Sequence, residues 1–77
     1  MGTLGERVRQ ERDRLLLTQQ ELSDLSGVTT VTISRIENGR GARRPTRATL
    51  KALADALGVD VYWLANGEEL LEGKLAA

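Results

Sequence analysis

The chain has 77 residues, with eleven Lys plus Arg balanced by eleven Asp plus Glu, and it contains no Cys, no His, no Phe, one Pro, one Trp and one Tyr. At this length there is one small domain, and folding buries somewhat over ~60 % of the unfolded surface, enough for a core without disulfide or metal support. The absence of Cys and His excludes disulfides, Cys/His zinc sites and His-activated nucleophiles, so no metal, no cofactor and no enzyme activity is expected.

No apolar stretch approaches the length of a membrane span, and Met1-Gly2-Thr3 leads directly into charged residues. The expectation is a cytoplasmic protein with no membrane partner. Two capping boxes, Thr3-Leu4-Gly5-Glu6 and Thr18-Gln19-Gln20-Glu21, predict helix starts, because hydroxyl and carboxylate reciprocally satisfy free amides of a first turn. Gly27, Gly39, Gly58 and Gly67 fall where helices stop, and Asn38 and Asn66 precede two of them. The spacing thus predicts five helices, at about 4–15, 19–26, 30–37, 47–57 and 61–65, and no strand.

Apolar residues follow helical periods within these segments. Leu4, Val8 and Leu15 share a face of the first helix, Leu22 and Leu25 of the second, Ile33 and Ile36 of the third, and Leu50, Leu53, Ala54 and Leu57 of the fourth. Tyr62 and Trp63 on the fifth read as core. None of these helices is long enough to persist alone in water, so they must share one core in an all-α bundle. The expected organisation is a domain over 1–67 followed by an acidic tail over 68–77, either a dimer contact or a linker.

Arg12 falls four residues after Val8 and three before Leu15, inside the apolar stripe, where an unpaired charge is costly. It requires a partner, and Glu37 beside Ile36 is the candidate.

Charge is not spread evenly. Residues 35–51 hold six basic groups against one acidic, whereas the flanking segments are acidic on balance. A charge run alone is commonly a solvated face, so it gains meaning only beside a structural partner. That partner is the three-residue connection Gly27-Val28-Thr29 between the second and third helices, short enough to cross them steeply in a helix-turn-helix.

The motifs Leu17-Thr18-Gln19-Gln20-Glu21-Leu22, Ser26-Gly27-Val28, Ile33-Ser34-Arg35-Ile36-Glu37-Asn38-Gly39 and Leu53-Ala54-Asp55-Ala56-Leu57-Gly58-Val59 together resemble the phage repressor and Cro family, the XRE type of helix-turn-helix protein. The similarity covers roughly residues 4–67. It implies a compact five-helix repressor-like bundle and a sequence-specific regulator of transcription, expected to be a homodimeric repressor on a palindromic double-stranded DNA operator. In this family Gln19 would hold the DNA backbone and brace the reading helix, and an Arg and Glu pair occupies the positions of Arg12 and Glu37. The resemblance also places the two-fold contact near the fifth helix, making Val61, Trp63, Leu64, Leu70 and Leu71 dimerisation candidates. An antitoxin-type interaction protein, with a protein partner held through the acidic tail, is the alternative reading.

The chain departs from the family at three points. Leu16-Leu17 stands where Gly-Leu is common, Ser23 where Ala is usual, and the 38–46 loop is two or three residues longer. A non-Gly residue in a left-handed conformation at the end of the first helix would cost ~1 kcal/mol.

At about 100° per residue, Ile33 and Ile36 on the inner side of the third helix put Val31 opposite them, flanked by Thr30, Ser34 and Arg35. Arg35 can donate two bonds to guanine, Thr30 can serve either kind of base edge, and Val31 can cover a thymine methyl, so these are the expected base readers. Gln19 and Gln20 open the second helix, where free amides and the dipole favour phosphate. Thr29, Thr32 and Ser34, with Arg40, Arg43, Arg44 and Arg47 of the basic loop, are the remaining expected contacts to the DNA backbone. Gly39-Arg40-Gly41 follows a helix rather than a strand and lacks the context of a nucleotide loop.

Overall fold

The computed structural model describes residues 2–39 and 44–67. Within them lie five helices, α1 (Leu4–Arg14), α2 (Gln19–Ser26), α3 (Thr30–Glu37), α4 (Arg47–Leu57) and α5 (Val61–Asn66), and no strand among the described residues. The expected helices are all present, with α1 one residue shorter and α5 one longer than the spacing predicts.

Local chemistry explains the boundaries. Thr3 and Thr18 form reciprocal capping boxes with Glu6 and Glu21, while Thr29, Thr46 and Asp60 each accept a first-turn amide with the side chain. At the other ends, Gly27 (φ +81°) and Gly58 (φ +71°) let the chain reverse in the left-handed region. The end of α1 has no such glycine: Leu16 itself takes φ +58°, a conformation disfavoured for a side chain with a Cβ, and is 88 % exposed.

Every helix sends at least one side chain into a common core of Val8, Leu22, Ile33, Leu53, Ala54, Leu57 and Leu64. Leu4, Val28, Ile36, Val59, Val61 and Trp63 pack around it, partly buried. α1 lies against α3, α4 and α5, and α2 against α3 and α4, so the bundle encloses its centre from all sides.

Three expected core residues are exposed, and Leu50 is only half-buried. Leu15 (38 % exposed) follows the last residue of α1, whereas Leu25 (62 %) and Tyr62 (49 %) are helical but left uncovered by the neighbouring helices. In the opposite direction, Arg7 and Glu11 occupy the apolar stripe of α1 and are buried. Leu64 is also fully buried within its own bundle. It was expected at a dimer contact, and in the single chain its side chain lies in the core rather than at the surface.

Candidate nucleic-acid interface

The short turn after α2 works because Gly27 adopts the left-handed conformation and Thr29 immediately caps α3, its hydroxyl accepting from the amide of Thr32 at 3.2 Å. Ile33 then anchors the inner face of α3 in the core, and the half-turn opposite it must face solvent. Val31 is 58 % exposed there and Arg35 is exposed beside it. Thr30, Val31, Ser34 and Arg35 line one shallow concavity together with Gln19 of α2 and Asn38 at the end of α3. Asn38, which the sequence marks only as a helix stop, is therefore an added member; its Nδ2 donates to Ser34 Oγ at 3.2 Å.

Gln19, which lines the concavity, also belongs to a buried hydrogen-bonded network. Arg12 donates through Nε (2.7 Å) and Nη2 (2.9 Å) to the two oxygens of Glu37, and its third nitrogen donates to the carbonyl of Leu17 at 2.8 Å. The side chains of the pair are only 13 % and 3 % exposed. Gln19 Nε2 adds a further bond to Glu37 Oε1 at 3.1 Å. One carboxylate thus ties α1 and the start of α2 to the end of α3, and Arg12 holds the α1–α2 connection to the same point. Burial pushes the Glu37 carboxyl up, but hydrogen bonds from Arg12 and Gln19 and the charges of Arg12 and Arg9 outweigh it, leaving the group below the usual carboxylate range. The hydrogen bond to Glu37 likewise raises Arg12, against the burial that would lower it.

The remaining expected residues divide. Gln20 is exposed and its Nε2 bonds Asp24 of its own helix at 3.0 Å, and the Thr29 hydroxyl donates to that of Thr32 at 3.1 Å. Arg44 is exposed before α4, and Arg47, also exposed, opens it. Arg40 and Arg43, like Leu70 and Leu71 of the tail, lie outside the described residues.

Sequence reasoning overlooked Arg7. Its Nε and Nη2 donate to the carbonyls of Leu64 (2.9 Å) and Ala65 (3.1 Å), and its Nη1 to that of Gly2 (2.7 Å). The signal was present, because Arg7 falls three residues after Leu4 on the same stripe that marked Arg12. Gly5 was a second one, a glycine inside a helix, which commonly marks a close backbone approach.

An exposed recognition-type helix, set by a glycine turn on a braced partner helix inside a five-helix bundle, defines a helix-turn-helix domain. The family model described as helix-turn-helix matches residues 8–64. Among characterised relatives, the HTH-type transcriptional repressor RghR of Bacillus subtilis (strain 168) is 47 % identical over 60 residues, 77 % of this chain and 43 % of that protein. Among solved structures, the P22 c2 repressor protein in complex with synthetic operator 9T superposes with a TM-score of 0.78 at 32 % identity, covering 88 % of this chain and 100 % of that one. The restriction-modification controller protein C.AhdI from Aeromonas hydrophila gives a TM-score of 0.72 at 30 % identity, covering 79 % of this chain and 89 % of that one. The chain belongs to the helix-turn-helix family, in its phage-repressor (XRE) type. It spans less than half the length of the curated relatives it matches.

Proposed function

We propose that this chain is a sequence-specific DNA-binding regulator of transcription, a homodimeric repressor that reads a palindromic operator by laying α3 in the major groove. The observation that carries the reading is the outer face of α3: Thr30, Val31, Ser34 and Arg35 are short or cationic, bear no acid, and share a concavity with Gln19. Short side chains admit the helix deep into the groove, and a carboxylate on that face would repel phosphate. Thr30, Val31 and Arg35 are the base readers. Gln19, Gln20, Thr29, Thr32, Ser34, Arg44 and Arg47 hold the backbone on either side, with Arg40 and Arg43 completing the basic loop. A relative named as a transcriptional repressor, others named as transcriptional regulators, and a structural neighbour bound to an operator support DNA-binding regulation.

The subunit contact is α5. Tyr62 is half-exposed there, with Val61 and Trp63 partly exposed beside it. Two such subunits present their reading helices about one turn of DNA, ~34 Å, apart.

The test is selection of bound duplexes from a random pool at ~150 mM salt, where non-specific affinity is weak. Enrichment of a palindrome with half-sites one turn apart is the expected result. Salt-sensitive binding without any enriched motif would overturn sequence-specific reading and favour protein recognition as the main role.

A further inference from the structure

The first two turns of α1 are wedged between the ends of two other helices. On one side Gly5 is buried against the last turn of α3. A Cβ at this position would overlap the carbonyl oxygen of Ile36 and stand 3.0 Å from that of Glu37, so the two backbones meet with only the Cα hydrogens of glycine between them. On the other side Arg7 is 5 % exposed, and its fork binds the carbonyls of Leu64 and Ala65, where the negative end of the α5 dipole lies. The fit is mutual: a Cβ at Gly67 would stand 3.1 Å from Arg7 Nη1.

α3 packs chiefly on α1 and α2, whereas α5 packs chiefly on α1 and α4. Only α1 packs extensively against both. We propose that Gly5 and Arg7 are positioning residues that make α1 a strut, Gly5 setting the approach of α3 and Arg7 that of α5, and so fix the angle between reading helix and subunit contact. The functional part rests on the assignment of α3 and α5 made above. A small rotation of α3 relative to α5 is doubled by two-fold symmetry, so it mismatches two paired half-sites while leaving one half-site readable.

The geometry is tested without DNA on the full chain, by residual dipolar couplings of the backbone amides in wild type and Gly5→Ala. The expected result is that α3 of the variant no longer fits the wild-type frame of α1, α4 and α5, whereas each helix still fits internally. Arg7→Lys, which keeps the charge and loses the fork, is expected to speed amide exchange at Leu64 and Gly67 by roughly tenfold or more with α2 and α3 unchanged. On the selected operator, Gly5→Ala is expected to lose about tenfold or more for paired half-sites and less than about twofold for a single half-site, since only the paired complex depends on the relative placement of two reading helices.

Couplings of Gly5→Ala that fit the wild-type frame would overturn the strut, as would equal losses on single and paired sites, the mark of mere destabilisation. If Gly5→Ala does not fold, Arg7→Lys decides by exchange, and unchanged protection of α5 overturns the proposal. Failure of wild type to select paired half-sites is a separate result, refuting the paired-operator reading and with it the functional part, while the couplings still decide the geometry.

Discussion

Glu37 accepts both Nε and Nη2 of Arg12 across a 25-residue separation in sequence, and the same carboxylate accepts Gln19. The three side chains come from three helices, so the end of α3 is held by a charge network rather than by apolar contact alone. Fork geometry makes such a pair strong, and burial makes its disruption costly.

Arg12→Ala leaves the Glu37 carboxylate buried with one remaining side-chain donor, and is expected to destabilise the fold by about 3–5 kcal/mol. Arg9 is exposed, so Arg9→Ala should cost no more than ~0.5 kcal/mol. Thermal unfolding of the two variants checks this; equal midpoints would refute the structural role of the pair.

The same network predicts acid sensitivity. The Glu37 carboxyl lies lower in the folded chain than its ordinary value of about 4.3, so between the two values the unfolded chain binds more protons. Its contribution is therefore complete above about pH 4.3 and is lost as pH falls through the depressed folded value. Glu37→Gln should be less stable at pH 7 but lose less of its remaining stability on acidification. Denaturant midpoints from pH 7 to 3 measure both, and parallel losses in the two proteins would exclude Glu37 as a source of the acid transition.

Arg35 and Arg44 should separate by sequence dependence. Arg35→Ala is expected to cost about 1–3 kcal/mol on the preferred site and relax selection at one base pair. Arg44→Ala should weaken binding to all duplexes and lower the salt slope by about 1. Titrations on preferred and scrambled duplexes at several salt concentrations read both; a uniform, base-independent loss for Arg35→Ala would make it a phosphate contact.

Leu16 combines φ +58° with 88 % exposure, so its side chain contributes little packing while its backbone is disfavoured. Leu16→Gly should stabilise the chain by somewhat under ~1 kcal/mol, the left-handed relief being partly offset by the greater unfolded entropy of glycine. A rise of a few degrees in Tm is the expected size for a domain this small.

Leu64 and Tyr62 are neighbours in α5 with opposite surroundings. Leu64→Ala should cost about 2–5 kcal/mol by opening a cavity in the core. Tyr62→Ala should leave the unfolding midpoint of the monomer within ~0.5 kcal/mol and weaken self-association. Sedimentation equilibrium alongside thermal melts distinguishes them; unchanged association in Tyr62→Ala would move the subunit contact away from this face.

Helix number, type and limits were legible in the sequence because they depend on neighbours: a Thr hydroxyl three residues from its Glu, a Gly where the chain must reverse, an apolar residue every third or fourth place. The Arg12–Glu37 pair was legible too, since a charge in an apolar stripe demands a partner and few acids could supply it. The mixed stripe of α1 carried the same signal at Arg7, but its partners are backbone carbonyls, which every residue possesses and no sequence pattern marks. Only the tertiary structure decided that Leu64 turns inward while Tyr62 turns out, that Leu15 and Leu25 remain exposed, and that Asn38 joins the concavity beside Arg35. Each of these depends on which surface of another helix lies opposite, and that surface exists only once the distant segments have packed.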